Sequence, residues 1–237
     1  MTPAESRARE HPAPSTFGPR WSRPAGHVLA HSIWDTRVTG AQNVPAIGPV
    51  LYAANHVNVL DGPLLAGASP RPAHLLVKAE MFSGPIGLFL RACGQISVDR
   101  DNGRDALLRA LAVLRRGGVV GVFPEGSRGR GDAASARAGV AWLALTGDVP
   151  VVPVALLGTR RTGESVGHIP GLRRRLVVEF GAPIALGREP GMSGRAAVVS
   201  ANEAIRVALS ALVASASART GVVLPTDDPG QLAAGLE

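Results

Sequence analysis

The chain reads as a single α/β domain in which a central sheet, largely parallel or mixed, is flanked by helices. Short apolar runs recur along the sequence, helical periodicities fall between most of them, and 29 glycines with 19 prolines supply frequent short connections. A length of 237 residues with 46% hydrophobic side chains supports one substantial core and does not require two. Aromatic residues make up only 4%, so packing is expected to be mostly aliphatic.

The elements follow in chain order. Residues 1–24 are rich in Pro, Ser and charge without periodicity, and are expected to be a mobile segment ahead of a domain spanning 25–220. Six apolar runs then have the length and character of buried strands: "PVLYAA" from residue 49, "AHLLVK" from 73, "QISVD" from 95, "GVVGVF" from 118, "VPVVPVALLG" from 149 and "RLVVEF" from 175. "GRDALLRALAVLRRGG" at 103–118 predicts a helix. Leu107, Leu108, Leu111 and Leu114 share one face, Asp105 lies in the first turn, Arg115 and Arg116 lie in the last, and glycines follow. A second helix is expected over 195–219, with Val198, Ala201, Ile205, Ala208, Leu209 and Leu212 at helical spacing; packing on the sheet is favoured over lying on a membrane, because its polar face is not strongly basic. Residues 221–237 are expected to form a mobile tail.

The net charge is +7, and Lys78 is the only lysine, so nearly all the positive charge is arginine. Arginine forks suit phosphate, which keeps anionic lipids and phosphorylated substrates in view. Nucleic acid is disfavoured, because stacking aromatics are scarce and no basic helix stands out. Cys93 is the only cysteine, which excludes an internal disulfide, and no Cys/His cluster suggests a metal. No apolar run approaches the roughly 18 residues of a spanning helix, so membrane contact is expected to be interfacial.

Two polar motifs follow strand-like runs, where active sites of parallel sheets gather. The first, "NHVNVLDGP" at 55–63, sets His56 five positions before Asp61. An Asp N-cap followed by Gly62 and Pro63 explains these residues without chemistry. The functional alternative is a carboxylate that fixes one imidazole nitrogen while the other removes a proton from a hydroxyl. Five residues turn about 140° around an ideal helix, so such a pair requires a turn between its members. The second motif, "GVVGVFPEGSRGRG" at 118–131, ends a strand on Glu125, Gly126, Ser127 and Arg128. It reads as a polar turn, or as a site where backbone amides and an Arg fork meet phosphate and Glu125 accepts from a hydroxyl. Arg100, after the "QISVD" run, adds positive charge ahead of the helix that begins near Gly103.

Taken in order, "NHVNVLD", "GQISVDR", "FPEGSR" and "VPVAL" resemble the four sequence blocks of the glycerolipid acyltransferases, specifically the 1-acyl-sn-glycerol-3-phosphate (lysophosphatidic acid) acyltransferases. The likeness covers about residues 38–185. It implies a glycerol-3-phosphate acyltransferase-like fold and transfer of a fatty acyl group to the free hydroxyl of 1-acylglycerol 3-phosphate. The donor would be a thioester of coenzyme A or acyl carrier protein. No metal or further cofactor is implied.

Carried onto this chain, the resemblance makes His56 the general base and Asp61 its orienting partner. Arg100, Glu125, Gly126, Ser127 and Arg128 hold the acceptor, and Pro153 shapes the far wall of the pocket. Backbone amides near His56 or at Gly126 are the candidates for oxyanion stabilisation. Glycerol 3-phosphate or another lysolipid is the alternative acceptor, and a non-catalytic lipid-binding protein is the alternative from another class. The chain departs from the family pattern at Asn58, where Ser or Thr is usual, and at Arg137, where Lys is common.

Partners implied are a lysophospholipid, the thioester donor and a membrane surface. The expected location is cytoplasmic, peripheral on the inner face of the cell membrane. Trp21 and Trp34 are expected either at a bilayer interface or packed on the sheet, and Arg173–Arg175 either on anionic headgroups or in a solvated turn.

Overall fold

The computed structural model describes residues 13–99, 103–126, 130–133, 138–188 and 190–227. The strands are β1 (Asp35–Thr39), β2 (Val50–Ala54), β3 (Ala73–Lys78), β4 (Ile96–Val98), β5 (Val119–Val122), β6 (Val151–Leu157) and β7 (Arg175–Phe180). The helices are α1 (Phe17–Ile33), α2 (Asp61–Ala68), α3 (Gly84–Ala92), α4 (Gly103–Arg115), α5 (Gly139–Gly147) and α6 (Gly194–Thr220).

The strands form one sheet in the order β1-β7-β6-β2-β5-β3-β4. Every neighbouring pair is parallel except β6 with β7. The sheet is therefore mixed, within the fold class that the sequence predicts.

Helices cover both faces, which is why the central strands are near-continuous apolar runs. On β2, Tyr52 and Ala54 enter a cluster with Leu64 and Leu65 of α2. Leu51 and Ala53 point the other way, toward α4, α5 and α6. Helix α6 buries Ala197, Ala201, Ile205, Leu209, Val213 and Ala216, close to the expected face. Although no spanning stretch is expected from the sequence, α6 is long and apolar enough to cross a membrane by length and composition, with a mean hydropathy of 1.5 over its best window. Its inner face packs against β6.

The N-terminal region differs from expectation. Helix α1 begins at Phe17, inside the segment expected to precede the domain, although Pro24 lies within it. Intrinsic propensity is poor there, and tertiary packing compensates. Gly26 of α1 and Gly67 of α2 meet backbone to backbone, so that a Cβ on Gly67 would lie 2.6 Å from the Gly26 carbonyl carbon. Strand β1 lacks an apolar run because it is an edge strand: Asp35, Arg37 and Thr39 face solvent while Thr36 donates to the Ala30 carbonyl at 2.7 Å.

Trp34 is 8% exposed and donates Nε1–H to the Pro170 carbonyl at 2.9 Å, so it packs on the sheet and not at an interface. Past α6, within the expected tail, Val222 and Leu224 pack against the core and the Asp227 carboxylate binds buried Arg160. Residues 1–12 and 228–237, expected to be mobile, lie outside the described residues.

Candidate active site

Because β2, β5 and β6 are adjacent and mutually parallel, their C-terminal ends open onto one edge of the sheet. Asn55, the first residue past β2, extends the pairing with its side chain. Its Nδ2 donates to the Leu156 carbonyl at 3.0 Å, and its Oδ1 accepts from the Leu156 amide at 2.7 Å. That amide-to-backbone pair fixes the strand end from which His56 emerges.

His56 and Asp61 meet across the turn. His56 Nδ1–H donates to Asp61 Oδ2 at 2.9 Å, with Asp61 fully buried and the imidazole 14% exposed. The same oxygen accepts the Val57 and Asn58 amides, each at 2.7 Å. The second carboxylate oxygen accepts the Thr159 hydroxyl at 2.6 Å, from a side chain that is itself fully buried. A carboxylate only accepts, so the shared proton sits on Nδ1 and Nε2 keeps its lone pair. Among the described residues Nε2 has no hydrogen-bond partner. The ring stacks on Phe123, with centroids 4.2 Å apart, which holds its plane.

Asp61 is the first residue of α2 and does not cap it. The N-cap position is Leu60, without a side-chain cap, and Asn58 shapes the turn ahead of it, its Oδ1 accepting the Leu60 amide at 2.9 Å in an Asx turn. Asn58 Nδ2 also donates to the His168 carbonyl at 3.0 Å, tying the His56 turn to the β6–β7 connection.

From β5, Glu125 approaches the back of the turn, where its Oε1 accepts the His56 amide at 3.2 Å. Burial pushes its carboxyl up to about 7. The charges of Asp132 and Asp61 push in the same direction, while hydrogen bonds from the His56 and Ala133 amides partly offset them. Gly126 closes the Phe123–Gly126 turn with φ 70°, the left-handed conformation that glycine adopts without strain. Farther on, a Cβ on Gly131 would lie 2.3 Å from Val57 Cγ1, so the last residue of the second motif packs directly on the first.

The site therefore contains a buried carboxylate, an imidazole with one free nitrogen, and a carboxyl that titrates near neutrality. It can take a proton from a hydroxyl presented to Nε2. A family model described as Acyltransferase matches residues 35–157, just over half of the chain.

The chain belongs to the acyltransferase family.

Within that family it is similar to the 1-acyl-sn-glycerol-3-phosphate acyltransferase of Bacillus subtilis, 33% identical over 125 residues covering 52% of this chain and 62% of the relative. The enzyme of the same name from Borreliella burgdorferi is 32% identical over 127 residues, covering 52% of this chain and 51% of the relative. The likeness thus spans from about half to three fifths of those curated relatives. The 1-acyl-sn-glycerophosphate acyltransferase structure from Thermotoga maritima matches with a TM-score of 0.59 and 22% identity, over 82% of this chain and 78% of that one, a likeness of fold.

For this acyltransferase-family chain, His56, Asp61, Glu125 and Gly126 come together as the sequence predicts. Arg100, Ser127, Arg128 and Arg137 lie outside the described residues. Pro153 does not face this edge. It sits mid-strand, opposite Ala53, with its Cγ against Gly181 near Leu212 of α6, and so packs the opposite layer. The oxyanion candidates also need correction. The amides of His56, Val57, Asn58 and Gly126 are already bound by Glu125, Asp61, Asp61 and the Phe123 carbonyl. Thr159 was missed by sequence reasoning. A polar residue directly after the apolar run of β6, at the sheet edge that carries the other motifs, is the signal that points to it.

Proposed function

We propose that this chain transfers a fatty acyl group from a thioester, of coenzyme A or acyl carrier protein, to the free hydroxyl of 1-acylglycerol 3-phosphate. The product is phosphatidic acid, for phospholipid biosynthesis. The observation that carries this reading is the imidazole fixed at Nδ1 by a four-times hydrogen-bonded Asp61, with Nε2 free.

In the proposed reaction His56 Nε2 takes the acceptor's hydroxyl proton as that oxygen attacks the thioester carbonyl. The C–O bond forms, the C–S bond breaks, and the departing thiolate receives the proton from the imidazolium. Asp61 stabilises the imidazolium, and no covalent acyl-enzyme is required. Arg100, Ser127 and Arg128 are proposed to bind the phosphate with the Gly126 turn, on the strength of the motif resemblance. Glu125 orients the His56 main chain. The proposed location is the inner face of the cell membrane, as a peripheral protein.

The test is acyl transfer by the purified chain from acyl-CoA and acyl-carrier-protein donors to a panel of acceptors: 1-acylglycerol 3-phosphate, glycerol 3-phosphate and lysolipids without a phosphomonoester. His56→Ala is expected to lower the rate about 10²–10⁴-fold with the fold intact. Equal rates for wild type and variant would overturn the assignment, and preference for another acceptor would reassign the substrate.

A further inference from the structure

The loop between β6 and β7 completes the site at one end and is apolar at its surface at the other. Thr159 begins it and holds Asp61, and the His168 carbonyl holds Asn58. The next residue, Ile169, is 68% exposed, and Leu172 is 81% exposed. Two hydrogen bonds pin this stretch to the end of α1. The Pro170 carbonyl accepts Trp34 Nε1–H, and the Arg173 amide donates to the Ile33 carbonyl at 2.8 Å. One turn earlier on α1, Val28 and Leu29 are also exposed. Strand β1 starts at this same edge, since it runs parallel to β7 and β7 runs antiparallel to β6. An apolar rim thus lies at the sheet edge from which His56 emerges.

Charge on the rim is one-sided. Leu172 and Arg173 occupy the central positions of a turn closed by the Arg174 amide on the Gly171 carbonyl. Arg173 has φ 60°, a left-handed conformation that glycine would adopt more easily. Arg161 and Arg173 are exposed, and neither side chain is in an ion pair among the described residues. The nearby carboxylates are occupied: Glu164 is gripped by both arms of Arg174, which holds its carboxyl down at about 2, and Asp35 faces Arg175 at 3.9 Å.

We propose that the β6–β7 loop, with the end of α1, is a docking surface for an anionic lipid bilayer, in which Ile169, Leu172, Val28 and Leu29 enter the interface and Arg161 and Arg173 meet headgroups. This rests on the proposed reaction with a lysolipid acceptor. It gives that acceptor a route from the bilayer to His56 along a loop that is hydrogen-bonded to the catalytic turn.

Flotation with phosphatidylcholine vesicles, with and without phosphatidylglycerol, tests the surface. Turnover of a short-chain, monomeric 1-acylglycerol 3-phosphate is measured separately. Wild type should bind the anionic vesicles more tightly. Leu172→Asp should weaken binding to them about tenfold or more while leaving turnover of the monomeric acceptor unchanged. Arg173→Gly, whose backbone suits glycine, should fold at least as well as wild type and lose about fivefold affinity on anionic vesicles only. Wild-type affinity in both variants would overturn the proposal. So would a dimer dispersed by Leu172→Asp in a protein that binds no vesicles, which would assign the rim to a second copy of the chain. Vesicle binding with the expected variant losses but no acyl transfer would keep the surface and refute the proposed function.

Discussion

Replacing Glu125 by Gln tests the electrostatics behind the His56 turn. The unfolded chain releases the Glu125 proton near the ordinary value of 4.5, whereas the folded chain holds it to about 7. Between those values the native state binds more protons than the unfolded state, so stability falls as pH rises through this window. The favourable contribution is complete below pH 4.5 and gone above pH 7. A shift from 4.5 to about 7 has an upper bound of about 3 kcal/mol, and the half-buried position of the side chain reduces that to ~1–3 kcal/mol. Glutamine keeps an oxygen to accept the His56 amide but carries no charge at any pH.

Urea denaturation of wild type and Glu125→Gln, from pH 4 to pH 8.5, isolates this contribution as the difference between the two curves. The variant should match wild type at the acid end, gain through the window, and stay ahead by ~1–3 kcal/mol above pH 7. That corresponds to a melting temperature higher by several degrees, at about 2–4 °C per kcal/mol for a domain of this size. A variant less stable than wild type at pH 8, or a difference independent of pH, would refute the reasoning. Either result would mean that the carboxylate is stabilised where it lies.

Two further substitutions probe the same turn. Thr159→Val keeps the shape but removes the donor to the buried Asp61 Oδ1, and a hydrogen bond to a charged group contributes ~1.5–3 kcal/mol. Under the proposed reaction, kcat/KM should fall about tenfold or more and thermal unfolding should move down, with both restored by Thr159→Ser; a silent Val variant would exclude a positioning role. Asn58→Ser retains a hydroxyl that can cap the Leu60 amide but cannot reach the His168 carbonyl. Hydrogen exchange should accelerate in residues 165–170 while α2 keeps its protection, and uniform protection would show that the tether carries no weight.

Legibility in the sequence followed burial. Strands β2, β5 and β6 lie between covered faces, so their residues are apolar without interruption, and β3 and β7 keep apolar residues at most positions, so each is visible as a run. Strand β1 is an edge and α1 is stabilised by contact with α2, so neither carries a local signature, and the expected boundary between residues 24 and 25 cuts through the middle of α1. At the site, the spacing of His56 and Asp61 leaves a helix-cap reading open, and it is the order of the sequence blocks, "FPEGSR" with Glu125 among them, that singles the pair out. Thr159, 98 residues from Asp61, became part of the constellation only because β6 lies next to β2. The sheet order also explains why separated blocks act together. In the order β6-β2-β5, the chain ends carrying Thr159, His56 and Glu125 are neighbours, whatever their distance in sequence.

Asn58 shows how a departure from a family pattern acquires a physical meaning. Serine or threonine at this position supplies one short oxygen, enough to accept the Leu60 amide in the turn ahead of α2. Asparagine supplies an acceptor and a donor on a longer arm, and here both are spent: Oδ1 on Leu60 and Nδ2 on the His168 carbonyl. The side chain is fully buried, so a second polar group without a partner would be costly. A chain with Asn at position 58 therefore needs the 168 carbonyl close by, and that requirement holds the β6–β7 loop against the His56 turn. The same loop carries Thr159 to Asp61 and presents Ile169 and Leu172 to solvent. Alignment of the imidazole and placement of the exposed rim thus depend on one connection, and Asn58 is the side chain that links them.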